Sequence, residues 1–128
     1  MSSRFLAVLA CSTLALSVLA PPAGAQDAAT GERLFRTRCA SCHSLEPGQN
    51  RIGPSLSGVI GRKAGSVEGA RYSQGMRDLG ITWDAAQLDT FLTNPRAMVK
   101  GSTMTISVTS ATDRAALTAY LQSPPQTN

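Results

Sequence analysis

Five consecutive residues, Cys39-Ala40-Ser41-Cys42-His43, put two thiols and an imidazole within little more than one helical turn. The pattern is C-x-x-C-H, in which both thiols can add to the vinyl groups of a haem and the adjacent imidazole can ligate its iron. Two intervening residues in a helical turn separate the sulfurs enough to reach two vinyl groups on one edge of the porphyrin. The next residue then carries its imidazole over the ring centre. Competing uses of the same residues fit less well. A zinc site would need further Cys or His ligands, and downstream of residue 25 the chain has only Cys39, Cys42 and His43. A thioredoxin-like pair belongs after a strand in an α/β pattern, which is missing here. A plain disulfide would leave His43, the single histidine, without a task.

An iron ligated by His43 has a second axial position, and its occupant separates an electron carrier from a ligand-binding protein. With no second histidine, the candidates are Met76, Met98 and Met104. Methionines are more often soft core filler than ligands. Met98 follows Pro95 in a segment that reads as one helical turn. Met104 instead sits in Lys100-Gly101-Ser102-Thr103-Met104-Thr105, a polar stretch with no helical periodicity. A polar loop needs a reason to turn one thioether inward, and iron supplies it.

The elements that must position these groups read as helices and long loops. Asp27 is expected to cap a helix through Arg38, with Leu34 and Phe35 facing the core and Cys39 just beyond. From Gly48 to Gly80, eight of 33 residues are glycine, so this stretch reads as turns with a short helix near Ser73 to Leu79. It needs something solid to wrap around. Asp84 is expected to cap a helix through Thr93, stopped by Pro95, and Asp113 to open a last helix carrying Leu117, Tyr120 and Leu121.

The first 25 residues stand apart. Arg4, an apolar run from Phe5 to Ala20, Pro21-Pro22 and Ala23-Gly24-Ala25 form the n-region, h-region and small-residue cleavage site of a secretory signal. The run of 16 is short for a membrane span, which wants about 20 residues. Cys11 lies inside the run, loosely like a lipidation site, yet the apolar stretch continues well past it. The organisation expected is a signal peptide over 1–25, one domain over 26–122 and a flexible tail over 123–128. The full 128 residues carry 12 Lys plus Arg against 8 Asp plus Glu, and loss of Arg4 with the leader leaves +3. The arginines alternate with acids and lack a stacking aromatic patch, which argues against nucleic-acid binding. Aromatics are only 5% of the chain, a thin supply for a core that a bound apolar cofactor would repair.

From Asp27 to Gln122 the chain resembles the class I cytochromes c of the mitochondrial and bacterial c2 type. Besides the haem motif, the segments that carry the resemblance are Gly31-Glu-Arg-Leu-Phe35, Gly53-Pro-Ser-Leu-Ser-Gly58 with Gly61-Arg-Lys63, Gly80-Ile-Thr-Trp83, Asn94-Pro95, Lys100-Gly-Ser-Thr-Met104 and Leu117-Thr-Ala-Tyr-Leu121. The resemblance implies an all-α fold of four to five helices with long loops around one covalent haem c. It implies Met104, nine residues after Pro95, as the sixth ligand. It implies that the Pro54 carbonyl holds the other ring nitrogen of His43, that Gly31 lets the first helix cross the last at Leu117 and Tyr120, and that Arg62, Tyr72, Trp83 and Ser102 face the haem propionates. Of the family's basic docking ring it leaves Arg33, Arg38 and Arg96.

Departures matter as well. The family tyrosine near the ligand sulfur is Phe91 here, a nearby asparagine is Met76, the aromatic residue near the haem edge is Ile106, and the lysine beside the ligand methionine is Thr103. The expected function is one-electron shuttling in the periplasm by a monomer that is not an enzyme and is not membrane-inserted after processing. Its partners would be a membrane oxidase, a cytochrome complex or a periplasmic dehydrogenase. Two alternatives stay open: a dedicated haem subunit of a periplasmic dehydrogenase, and a ligand-binding or peroxidase-like haem protein with a labile sixth ligand. Produced in a bacterium with a haem-attachment system, the protein is expected to begin at Gln26 and to carry one covalent haem. Intact mass spectrometry checks this; retention of residues 1–25, or a mass without the haem increment, would refute it.

Overall fold

The structure is a computed structural model in which residues 23–124 are described. Most of the expected signal segment and the end of the expected tail lie outside the described residues. Five α-helices follow one another: α1 (Ala23–Leu34), α2 (Gln74–Asp78), α3 (Ala85–Thr93), α4 (Pro95–Met98) and α5 (Ala111–Gln122). A π-helical segment, Phe35–Cys39, continues α1 into the motif. Among the described residues the only extended pairing is an isolated antiparallel bridge between Lys63 and Thr82. The described residues thus bear out the all-α reading of the sequence.

Local signals explain most boundaries. Asp84 caps α3 by accepting from the Gln87 amide at 2.7 Å. Ser73 caps α2 through the Met76 amide. Asn94 ends α3 and caps α4 by accepting from the Ala97 amide, so Pro95 both stops one helix and occupies the first turn of the next. Two expected caps are displaced. Asp27 lies inside α1, which among the described residues already begins at Ala23. Asp113 sits in the first turn of α5 and its amide donates to Ser110, the true cap, where the carboxylate still suits the positive helix end.

The framework is the crossing of α1 and α5, the most extensive pairing of elements. Gly31 makes it possible. A Cβ at that position would collide with the Ala116 carbonyl and come within 2.6 Å of Tyr120 Cβ, so the tightest approach is at Ala116 and Tyr120. Phe35 and Tyr120 then meet at 5.9 Å between ring centroids, tilted by 46°. Beyond this crossing the π segment, closed by the Ala40 amide donating to the Phe35 carbonyl at 2.9 Å, sets the angular position of Cys39.

Arg114 ties the remaining wall together. Its Nε meets Asp89 Oδ1 of α3 at 2.7 Å, and Nη1 donates to the Val108 and Thr109 carbonyls, so α3, α5 and the loop leading to α5 share one guanidinium. Replacing Gly31 with Ala is expected to destabilise the haem-loaded protein by about 1–3 kcal/mol, since overpacking against a backbone carbonyl outweighs the helix-propensity gain of about 1 kcal/mol. Urea unfolding measures it; an unchanged or raised midpoint would show that the helices cross elsewhere.

Candidate functional site

Between the π segment with the motif that follows it, α3, α5 and the glycine-rich middle of the chain lies a cavity of about 530 Å³. Its walls are mainly apolar, including Leu56, Val59, Leu88, Leu92, Leu117 and Leu121. Leu88 and Leu92 of α3 and Leu117 and Leu121 of α5 are buried on faces that line it, and the two helices also contact each other. Trp83 and Phe91, 5.2 Å apart between ring centroids and tilted by 58°, close one side.

Cys39, Cys42 and His43 all border this space. Both thiols are free. The chain turns over them through the Cys42 and His43 amides, which donate to the Cys39 carbonyl at 3.0 and 2.9 Å. Burial pushes the Cys39 thiol above its ordinary range, with Cys42 adding to the rise and Arg38 opposing it. Burial likewise lowers the pKa of His43, against the opposing effect of its bond to Pro54. His43 Nδ1 lies 2.8 Å from the Pro54 carbonyl oxygen. A carbonyl only accepts, so Nδ1 carries the proton and the Nε2 lone pair is left for a metal. Gly53 backs the ring: a Cβ there would fall 2.8 Å from His43 Nδ1.

Met76 and Met104 both line the cavity wall, whereas Met98 borders a separate shallow depression between α3 and α4. The loop bearing Met104 is pinned at both ends. Val99 and Val108 are each 1% exposed; the Val99 amide donates to Pro95 and the Val108 amide to Leu92 at 2.8 Å. Ser102, also buried, donates its amide to the Val99 carbonyl, and Gly75 of α2 lies flush against the Lys100 carbonyl. A polar loop is thereby held with its one thioether at the cavity wall.

Arg62, Tyr72, Trp83 and Ser102 all border the same space. Arg62 donates Nη1 to the Ser57 carbonyl and Nη2 to the Ser55 carbonyl, at 2.6 and 2.9 Å, while its enclosed Nε has no partner. Burial lowers the Arg62 pKa, with Tyr72 acting in the opposite direction. The Tyr72 hydroxyl accepts from the Val67 amide and keeps its own proton to donate. An enclosed cation with a spare N–H beside a phenol is suited to a buried carboxylate. Two thiols, an imidazole, a thioether, an apolar hollow and this cationic corner together match haem, whose macrocycle is apolar and whose propionates are anionic.

Of the three arginines expected to form a docking surface, only Arg38 borders the cavity; Arg33 on α1 and Arg96 on α4 are exposed elsewhere. Sequence reasoning missed Arg71 and Ile52, both exposed and both lining the cavity, Ile52 at 79% exposure. Neither carries a local signal, because only the folded loops bring them to the rim. The same is true of the polar network behind Pro54, in which Ser55, 1% exposed, receives a bond from Arg62 and gives one to the Glu46 carbonyl.

Comparison with known proteins agrees with this geometry. The profile of the family described as Cytochrome c matches residues 28–124. A cytochrome c-554 of Methylosinus trichosporium is 39% identical over 123 residues, covering 94% of this chain and 92% of the relative. A cytochrome c2 of Rhodoblastus acidophilus is 41% identical over 99 residues, covering 76% of this chain and 92% of the relative. One of Blastochloris viridis is 41% identical over 90 residues, covering 70% of each. The chain belongs to the class I cytochrome c family, of c2 type, and is a haem-based electron carrier with one covalently bound haem c, not an enzyme.

Proposed function

We propose that the protein is an exported, monomeric one-electron shuttle whose iron is held by His43 and Met104, with Cys39 and Cys42 forming the thioether links. The observation that carries this reading is the gathering of both thiols, the imidazole and the thioethers of Met104 and Met76 around one apolar hollow, with Met98 excluded from it and Met104 alone on a polar loop. When bound, the haem supplies an iron that alternates between ferric and ferrous states. Everything else is done by the chain. His43 offers Nε2 because Pro54 holds the proton on Nδ1. Met104 offers a soft, neutral sulfur from a loop fastened at Val99 and Val108, which favours the ferrous state. Leu88, Leu92, Phe91 and Leu117 exclude water, and a dry wall disfavours the oxidation state with the extra charge. Two fixed protein ligands change little between states, which keeps reorganisation small. Arg62, Tyr72, Trp83 and Ser102 take the propionates.

Export to the periplasm is supported by the leader pattern of residues 1–25, and among the described residues no helix is long and apolar enough to cross a membrane. The partners are redox proteins: a membrane oxidase, a cytochrome complex or a periplasmic dehydrogenase. Electrons leave at the edge beside Cys39 and Cys42, where Arg38 stands, with Arg33 and Arg96 adding longer-range steering.

Replacing Met104 with Ala is expected to abolish the weak sulfur-to-iron charge-transfer band, lower the reduction potential and admit azide or carbon monoxide, while Met76→Ala keeps the band. Absorption spectra and redox titration of the variants decide it. A band surviving in Met104→Ala would assign the ligand elsewhere.

Docking is expected to depend only mildly on salt, because a net charge of +3 after loss of the leader is small and exposed charges are screened over about 8 Å at physiological ionic strength. Reversing Arg38 to Glu should slow transfer to an acidic redox partner several-fold at low salt and flatten the salt dependence. Stopped-flow kinetics across ionic strength tests this; an unaffected rate would remove Arg38 from the docking face.

A further inference from the structure

The carbonyl that holds His43 belongs to a peptide group whose other end is also engaged. The amide joining Pro54 to Ser55 accepts from His43 Nδ1 at its oxygen, at 2.8 Å, and donates from its nitrogen to Asn50 Oδ1, at 3.0 Å. An amide that accepts and donates at once is polarised: an acceptor at the N–H moves electron density to the oxygen and strengthens the bond received there. Asn50 is itself oriented, since its Nδ2 donates to the Glu68 carbonyl at 2.9 Å. The three groups form one line, from the Asn50 amide through a backbone peptide to the imidazole.

We propose that Asn50 is a positioning residue for the axial imidazole: through the Pro54–Ser55 peptide it fixes the His43 ring and increases its electron donation to iron. This rests on His43 being an iron ligand. A stronger acceptor for Nδ1–H gives the ring partial imidazolate character, and a more basic ligand favours the ferric state. Asn50 therefore lowers the potential of the site, against the effect of the thioether opposite. Ser55 does not depend on Asn50 for its place. Its carbonyl is held by Arg62 Nη2 and its hydroxyl by the Glu46 carbonyl, at 2.9 and 2.6 Å. Loss of the Asn50 acceptor consequently changes the polarisation of the peptide while those anchors remain.

Two substitutions in the haem-loaded protein separate this role from that of a simple bridge between loops. Asn50→Leu removes both bonds; Asn50→Asp removes the donor to Glu68 and keeps an acceptor, now charged, for the Ser55 amide. The readouts are the His43 Nδ1–H proton resonance in the reduced protein and the reduction potential. Asn50→Leu is expected to shift the resonance upfield and raise the potential; Asn50→Asp is expected to shift it downfield and lower the potential. A bridge alone loses the Glu68 bond in both variants and moves both in one direction. That result, or an unmoved resonance in Asn50→Leu, overturns the proposal. If Asn50→Leu does not fold, Asn50→Asp decides alone, with an unmoved or upfield resonance counting against it. Failure of the ligation itself shows separately, as His43 ring protons in the unsubstituted protein that lack the large upfield displacement imposed by a haem face.

Discussion

The structure depends on a hollow that its own side chains do not fill. A cavity of about 530 Å³ with mainly apolar walls sits where a domain of this size would place its core. Apolar wall left to water forgoes about 25 cal/mol for each Å² it could bury, a heavy loss for a domain whose whole stability is about 5–15 kcal/mol. The helical faces of α3 and α5 and the glycine-rich turns between Gly48 and Gly80 are consequently shaped to a cofactor as much as to each other. A chain with 5% aromatic residues leaves that volume to the macrocycle.

The polar minority in the hollow is arranged so that each group has one task. His43 is backed by Gly53, oriented by the Pro54 carbonyl and reached by Asn50 through the following amide. Arg62 fastens the same strip of backbone at Ser55 and Ser57 while its Nε faces the corner suited to a carboxylate. The ligand side and the propionate side thus share one stretch of loop, residues 53–57. The segment around Met104 is held by buried valines and by a serine. Rigidity at His43 and Met104, the ligands we propose, is what an electron carrier needs, because any movement between oxidation states adds to the barrier for transfer.

Much of this was legible in the residues because its determinants are local. The haem motif is contiguous, Asp84 announces α3 at the position where it caps, and Met104 stands out as an apolar residue in a polar loop. The misses have a common cause. Asp27 and Asp113 are good cap residues, but a cap is decided by where the backbone departs from helix, and Asp27 lies inside α1 while Ser110 caps α5. The π segment before Cys39 has no sequence signature; it follows from seating Phe35 on Tyr120 while bringing the motif to the cavity. Asn50, Ile52 and Arg71 reach the site only through the path of loops without periodicity.

Haem completes the core of this fold. Amide hydrogen exchange compared between the protein carrying its haem and the same chain produced without haem attachment is the sharpest test. The amides of α1, α3 and α5 are expected to be strongly protected in the haem-bearing protein and to lose nearly all protection in the haem-free chain. Equal protection of these helices in both would contradict it.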